Sequence, residues 1–463
     1  MARYGKLILL ALLLASCGQG AADQRTTVRF WAFGREGEVV RELVPEFERR
    51  HPEIRVEVQQ VPWTAAHEKL LTAFVGDATP DAAQLGNTWV PEFVSLGALA
   101  PINARLSAPL RADSFPGIWD TNVVDGETWG LPWYVDTRLL FYRTDLVAAA
   151  GVPWPPKSWA EWRTAMEGIK RHGGPGKFAI LLPIDEWTQP VIFGLQNQAP
   201  LLRDGGRYGA FRDPRFKEAM TFYLGLYSSG LAPALDLQSV ANMYQQLAEG
   251  YFAMVITGPW NLSEFRTRMP PEMQDRWATA PLPPPEEGMP YPGLSVAGGS
   301  SLVLFQQSKH PDAAWLWLQY LYEPAQQARF YELSGDLPAR PSAWKLAGLA
   351  DDPKAAAFLA QLESVAATPK VPEWEQIATR VAECAEQVMR GGRDLDDALA
   401  ALDADVDRML EKRRWLMDRE AKRQTRLLDR PSTVETPRGA SPPTRRSEGD
   451  APRGVSTVGE EGQ

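Results

Sequence analysis

The sequence predicts an α/β protein of two lobes, on three observations: strand-like and helix-like patterns alternate from residue 27 onward, the chain is longer than one core organises, and burial must supply the stability. A chain of 463 residues with 44% hydrophobic side chains can fill two cores, and chains beyond about 250–300 residues ordinarily divide. Only Cys17 and Cys384 are present. The first falls in a leader segment, so the mature chain has no partner for an intrachain disulfide.

The elements follow in order. Val28 and Phe30 alternate with Thr27 and Arg29 as a strand does, and Val39, Val40, Leu43, Val44 and Phe47 then recur at helical spacing. Pro45 is expected to kink that helix, and His51-Pro52 to stop it. Ile54, Val56 and Val58 alternate with charged residues as a second, half-buried strand. A helix carrying Leu70, Leu71 and Phe74, a short apolar segment over 81–85 and a helix over 89–96 continue the rhythm. Such alternation predicts a mainly parallel sheet with helices on both faces. Gly- and Pro-rich turns punctuate 125–132, 151–156 and 173–176, and the prolines of 281–285 predict an extended loop. Leu395, Leu399, Leu402, Val406 and Leu410 form a helical stripe near the end. Residues 428–463 hold little to bury and are predicted to be a disordered polar tail.

The leader sets the compartment. Arg3 and Lys6 precede an apolar run over 7–15, far shorter than the ~20 residues of a spanning helix. It ends in Leu14-Ala15-Ser16-Cys17-Gly18, small residues before a cysteine that can be lipidated and become the new N-terminus. Residues 1–17 are therefore read as a lipoprotein signal peptide with Cys17 as the anchor. Gly18 follows it, so no aspartate stands there to argue for inner-membrane retention. The protein is expected outside the cytoplasm, held at the membrane and facing the periplasm or the cell exterior.

Charge and residue supply exclude several functions. The net charge of −9 lacks the basic excess that a phosphate backbone requires, so nucleic acid is not an expected partner. His67-Glu68 opens like a zinc-protease motif, but Leu71 stands where the second histidine belongs. The segment Gly173 to Lys177 resembles a phosphate loop with Arg171 in place of its first glycine and Phe178 in place of its hydroxyl residue. Gly293-Leu294-Ser295-Val296 approaches a nucleophile elbow that Ala297 fails to close. Four histidines and one mature thiol supply few bases, nucleophiles or metal ligands, and no cofactor is implied. Asp185 and Glu186 beside Trp187 keep a secreted glycosidase open as the alternative, since paired carboxylates near aromatics also serve that chemistry.

The positive signal joins aromatics to polar groups at strand ends. Residues 252–257 read as a buried strand, followed by Gly258-Pro259-Trp260-Asn261, a turn that can expose an indole. Open α/β sheets bind ligands beyond the carboxyl ends of their strands. Seventeen tryptophans and twelve tyrosines supply flat faces for stacking as well as core.

These residues resemble the maltose-binding-protein-like sugar receptors of ABC importers, the family 1 extracellular solute-binding proteins. The resemblance spans residues 28 to about 415. It runs through 31–38, Phe47-Glu48-Arg49-Arg50-His51-Pro52, Leu85-Gly86-Asn87-Thr88-Trp89, Gly130-Leu131-Pro132-Trp133-Tyr134-Val135-Asp136 and Gly258-Pro259-Trp260. It continues with Ala297-Gly298-Gly299-Ser300-Ser301, the segment 308–315, Leu337-Pro338-Ala339-Arg340 and Pro372-Glu373-Trp374.

The resemblance implies a periplasmic-binding-protein-like type II fold, two α/β lobes joined by crossing hinge strands at 132–136, 295–300 and 335–340. One lobe would comprise 27–131 plus 297–337, the other 132–296 plus 338–420. It implies a carbohydrate ligand, di- or oligosaccharide, in the cleft, with permease subunits and their cytoplasmic ATPase as partners of a monomeric receptor. Sugar hydroxyls would meet Glu36, the loop with Asn87 and Trp89, and Tyr134 and Asp136 on the crossover, and the indole of Trp260 would stack. Gly258 turns the chain before Trp260, and Gly298 and Gly299 would let backbone approach the ligand. Trp187, Asn242, Arg340 and Trp374 join the site, each with an ordinary alternative: core for the two tryptophans, an ion pair for Arg340, a helix cap for Asn242.

Overall fold

The sheet framework consists of β1 (Thr26–Phe33), β2 (Ile54–Val61), β3 (Ala82–Gly86), β4 (Gly130–Asp136), β5 (Leu139–Arg143), β6 (Phe178–Leu181), β7 (Phe252–Thr257), β8 (Trp277–Ala280), β9 (Gly298–Leu304) and β10 (Leu337–Pro338). The structure is a computed structural model that describes residues 24–236, 239–240 and 242–428. The signal segment with Cys17 and the tail from residue 429 on lie outside the described residues. Up to Arg413 the chain forms one unit, and residues beyond it form another, of which the end of the helix Glu411–Leu428 is the described part.

A six-stranded sheet has the order β10-β4-β9-β3-β1-β2, and a four-stranded sheet the order β8-β5-β7-β6. The expectation of mainly parallel sheets is corrected. β1 is parallel to β2 and β3, and β7 to β6, but β9 runs antiparallel to β3 and β4, β10 to β4, and β5 to β7 and β8. The antiparallel strands are those on which the chain passes between the sheets. β4 ends at Asp136 and β5 begins at Leu139, so two residues separate one sheet from the other. A second passage precedes β9, where Ser295–Val296 pairs in parallel with Val365–Ala366.

The central strands of both sheets are buried on both faces, while the edge strand β2 exposes Arg55, Glu57 and Gln59. Along β1, Val28, Phe30 and Ala32 enter one core with Leu131, Leu302 and Trp317, while Trp31 and Phe33 enter another with Leu70, Phe93 and Val303. In the smaller sheet Leu140, Ile180, Met254 and Ile256 face a core with Val191 and Phe216, while Phe141, Leu181 and Val255 face one with Phe265 and Phe358. Burying these rows, at about 25 cal/mol per Å² of apolar area, is what holds the sheets together.

The helix predicted after β1 is divided. Gly34–Val39 is helical, Val40–Leu43 tightens to a 3-10 turn, and Val44–Arg50 restarts with Pro45 in its first turn. Proline fits there because its missing N–H has no intrahelical partner at a helix start. The other patterned helices form as Trp63–Val75, Val90–Ser95 and Leu395–Met409, the last burying Leu399, Leu402 and Val406. Among the described residues no helix is long and apolar enough to cross a membrane.

Candidate functional site

The carboxyl ends of the parallel strands in the two sheets meet at one cavity of about 390 Å³, a size typical of small-ligand sites. Glu36 follows β1, Trp63 follows β2, and Gly86 to Trp89 close β3; from the other sheet, Trp187 and Thr188 follow β6, and Pro259 and Trp260 follow β7. Between them lie Tyr134 and Asp136 on β4, Arg138 in the crossing, Gly298 and Gly299 on β9, and Asp336 before β10.

A buried hydrogen-bond relay fixes Glu36. The Tyr134 hydroxyl donates to Glu36 Oε1 at 2.8 Å and accepts from Gln84 Nε2 at 3.0 Å and from Ser300 Oγ at 2.9 Å. Gln84, wholly buried, is held in turn by the Phe33 N–H on its Oε1 at 2.7 Å. Trp63 Nε1 donates to both Glu36 oxygens at 3.2 and 3.3 Å. Burial, followed by the neighbouring Glu36 charge, drives the Tyr134 phenol well above its usual range, so it stays a neutral donor.

The carboxylates of the crossing strands are electrostatically stressed. Burial raises the Asp136 carboxyl, with Arg138 opposing and Glu186 adding to the shift. Burial also raises Asp336, and the negative charges of Glu36 and Asp136 push it the same way. Arg138 reaches Asp136 at 3.6 Å and lies over the Trp260 ring at 4.5 Å. Asp136 Oδ1 and Arg138 Nε are buried without a hydrogen-bond partner among the described residues, an arrangement that a polar ligand would relieve. Trp63, Trp89 and Trp260 supply apolar walls: Trp63 and Trp89 meet edge-to-face at 5.8 Å against Phe33, and Trp260 is 38% exposed.

Of the residues expected from sequence, Glu36, Asn87, Trp89, Tyr134, Asp136, Trp187, Trp260, Gly298 and Gly299 line this cavity. Asn87 turns its amide inward to donate to the Ala297 carbonyl at 2.9 Å. The other four stand outside its lining. Arg340 pairs with Asp113 at 2.8 Å and donates to the Tyr322 carbonyl at 2.9 Å, away from the cavity. Trp374 is 1% exposed and packs edge-to-face behind Trp187 at 5.8 Å, so it backs the wall without forming it. Asn242 caps the helix Met243–Ala248, accepting from the Gln245 N–H at 3.1 Å, and lines a neighbouring cavity. Gly258 is the seat of Trp260: a Cβ there would lie 1.9 Å from the indole.

The reason for the glycines of β9 also differs from expectation. A Cβ on Gly298 would sit 2.5 Å from the Asp136 carbonyl oxygen, and one on Gly299, at φ +129°, would sit 2.2 Å from that of Tyr134. They are glycines because two crossing strands touch there. Sequence reasoning missed Trp63, Arg138, Thr188 and Asp336. Asp185 and Glu186 do not line the cavity; the Glu186 carboxylate accepts from the Thr188 hydroxyl at 3.0 Å and lines a neighbouring one.

Known proteins share this architecture. The sugar-binding protein MalE of Xanthomonas citri superposes with a TM-score of 0.81 at 51% identity, covering 85% of this chain and 99% of its own. The GacH receptor of Streptomyces glaucescens, solved unliganded and with acarbose, superposes with a TM-score of 0.71 at 25% identity over 84% of this chain and 99% of its own. The diacetylchitobiose-binding protein DasA of Streptomyces coelicolor is 24% identical over 342 residues, 73% of this chain and 77% of that protein. Residues 34–328 match the family described as bacterial extracellular solute-binding protein. With more than half of its length inside that match and two α/β lobes facing one cleft, the chain belongs to the bacterial extracellular solute-binding protein family.

Proposed function

We propose that this protein is the carbohydrate-binding component of an ABC importer, closing its two lobes around a di- or oligosaccharide. The observation that carries the reading is the composition of the cavity. Indoles and carboxylates from the strand ends of both sheets converge on it, and these are the groups that suit a sugar's C–H face and its ring of hydroxyls. In this reading the lobes are 27–131 plus 297–337 and 132–296 plus 338–420, hinged where β4 leads into β5 and where β9 and β10 adjoin β4. A ligand touching both lobes favours the closed arrangement by its differential affinity. Cys17 carries the lipid, the receptor acts as a monomer, and tethering raises its concentration near the permease subunits whose ATPase drives uptake. The protein releases its ligand unaltered, because binding and closure are its whole chemistry.

The test is a thermal-shift screen of residues 18–463 against mono-, di- and oligosaccharides, followed by calorimetry and by small-angle scattering for compaction. A ligand-dependent rise in Tm with compaction is expected. If no sugar moves Tm, the carbohydrate reading fails; if a bound glycoside is turned over, the importer reading gives way to an enzyme.

A further inference from the structure

Behind the cavity wall, ionisable groups from the two lobes meet at one seam. Glu375 stands in the first turn of the helix Trp374–Met389, which packs against the turn Asn87–Trp89. Thr88 of that turn lines the main cavity and Trp374 backs its Trp187 wall, so the contact lies on the cleft side of the hinge. The Thr88 hydroxyl hydrogen-bonds to the Glu375 carboxylate, whose Oε1 is buried without a partner among the described residues. His67, from the helix Trp63–Val75, presents its charge to the same carboxylate. Its Nε2 donates to Glu92 Oε2 at 2.6 Å, and its ring meets the Trp89 indole edge-to-face at 5.0 Å. The remaining charges are Glu68, 4.0 Å from His67 Nδ1, and Glu373, which Arg413 and Lys412 oppose. Lys370, on the same seam as Thr88, is paired with Asp120 at 2.7 Å.

We propose that Glu375 is a positioning residue for closure, meeting Thr88 and His67 only when the lobes come together and holding the cavity-lining turn in place through Thr88. The inference rests on the closing two-lobe reading above and adds regulation to it. Burial raises the Glu375 carboxyl, with Thr88 and His67 opposing and Glu92 adding. The hydrogen bond to Glu92 raises His67, with burial opposing and the charges of Glu375 and Glu68 adding. Opening the cleft returns Glu375 to water and takes its charge away from His67. On either group, therefore, the closed form holds a proton more tightly than the open one. Closure takes up protons, and ligand affinity rises as pH falls.

Calorimetry of the mature chain with maltose, lactose and diacetylchitobiose at pH 5, 6.5 and 8, in buffers of different ionisation enthalpy, reads the affinity and the protons taken up. The sugar that binds should do so about fivefold tighter at pH 5 than at pH 8, with net proton uptake. Asp136 and Asp336 also titrate in the cleft, so the comparison that decides is with Glu375→Gln, whose amide keeps a partner for Thr88 but binds no proton. That variant should lower the proton uptake, flatten the pH 5 to pH 8 ratio about threefold and bind at pH 8 at least as tightly as wild type; Glu375→Asp should keep the wild-type ratio. A ratio and proton count unchanged in Glu375→Gln overturn the latch and leave the carbohydrate reading standing. If none of these sugars binds, the carbohydrate reading fails and small-angle scattering of the unliganded chain decides the latch. Wild type should then be more compact at pH 5 than at pH 8 and Glu375→Gln equally compact at both, and the same response in the two proteins overturns it.

Discussion

Removing the Trp260 indole is the sharpest probe of the cleft. The side chain is 38% exposed and borders both cavities. Taking a full tryptophan surface as about 250 Å², the uncovered part is about 95 Å², and covering it with a sugar face at about 25 cal/mol per Å² contributes about 2 kcal/mol. That corresponds to about a 30-fold rise in Kd for Trp260→Ala. The variant also loses the contact with Arg138 at 4.5 Å, which at a partly exposed site contributes only about 0.5–1 kcal/mol to the fold. Affinity should therefore fall, and stability with it, because the covered remainder of the indole, about 155 Å², contributes about 4 kcal/mol to the fold at the same coefficient. Calorimetry with the sugar scored by thermal shift reads the first and a urea titration the second. An unchanged Kd in a folded variant would remove Trp260 from the binding surface and leave it a packing residue.

Three more outcomes follow from named contacts. Tyr134→Phe strips an acceptor from Gln84 and Ser300 and a donor from Glu36, so urea denaturation should show a loss of about 1–3 kcal/mol; no loss would mean that the relay is not formed in solution. Arg340→Ala breaks a pair with Asp113 in which both side chains keep some solvent contact, at 14% and 24% exposure, so it should cost about 1–3 kcal/mol of stability and leave the sugar Kd within twofold; a larger drop in affinity would return Arg340 to the site. Asp336 is raised by burial and by the Glu36 and Asp136 charges, so the folded state binds its proton more tightly than the unfolded one. Stability is then greatest in acid and falls as pH climbs from the ordinary carboxyl value near ~3.9 through the raised folded value. Asp336→Asn removes that slope: its Tm should match wild type below about pH 4 and exceed it increasingly above, and a gap that opens toward acid would reverse the assignment.

What the sequence revealed about this site depended on whether a residue's role was local. Glu36 and Trp260 stand just past the ends of β1 and β7; the rule that ligands gather at strand carboxyl ends found Trp260, and the family resemblance found Glu36. The same rule applied to β2 would have found Trp63. Phe33 and Val61 are register partners at the ends of β1 and β2, so the next turns of chain emerge side by side. The helical period of Leu70, Leu71 and Phe74 drew attention past it. Asp336 and Arg340 share one crossing segment, and only tertiary contacts separate them: Asp113 claims the arginine, whereas Asp336 faces Glu36 and Asp136. The antiparallel pairings were equally hidden. Alternation of strand and helix carries no direction, and β4, β9 and β10 gain theirs from running between the sheets.

The placement of charge gives the cleft a reason to wait for its ligand. Glu36, Asp136 and Asp336 bring three carboxylates to one site, in which burial disfavours the ionised forms of Asp136 and Asp336 and Arg138 is the cation that faces Asp136. Drawing the lobes together without a guest removes water from these groups, and Asp136 Oδ1 already has no donor among the described residues. A sugar brings several hydroxyl donors at once, so its contacts gain most in the arrangement where solvent is most excluded. The ligand's affinity for the closed form therefore exceeds that for the open form through the same groups that make the empty closed form unfavourable. Because two of the three carboxylates sit on or beside the strands that cross between sheets, the electrostatic relief and the hinge act on the same few residues.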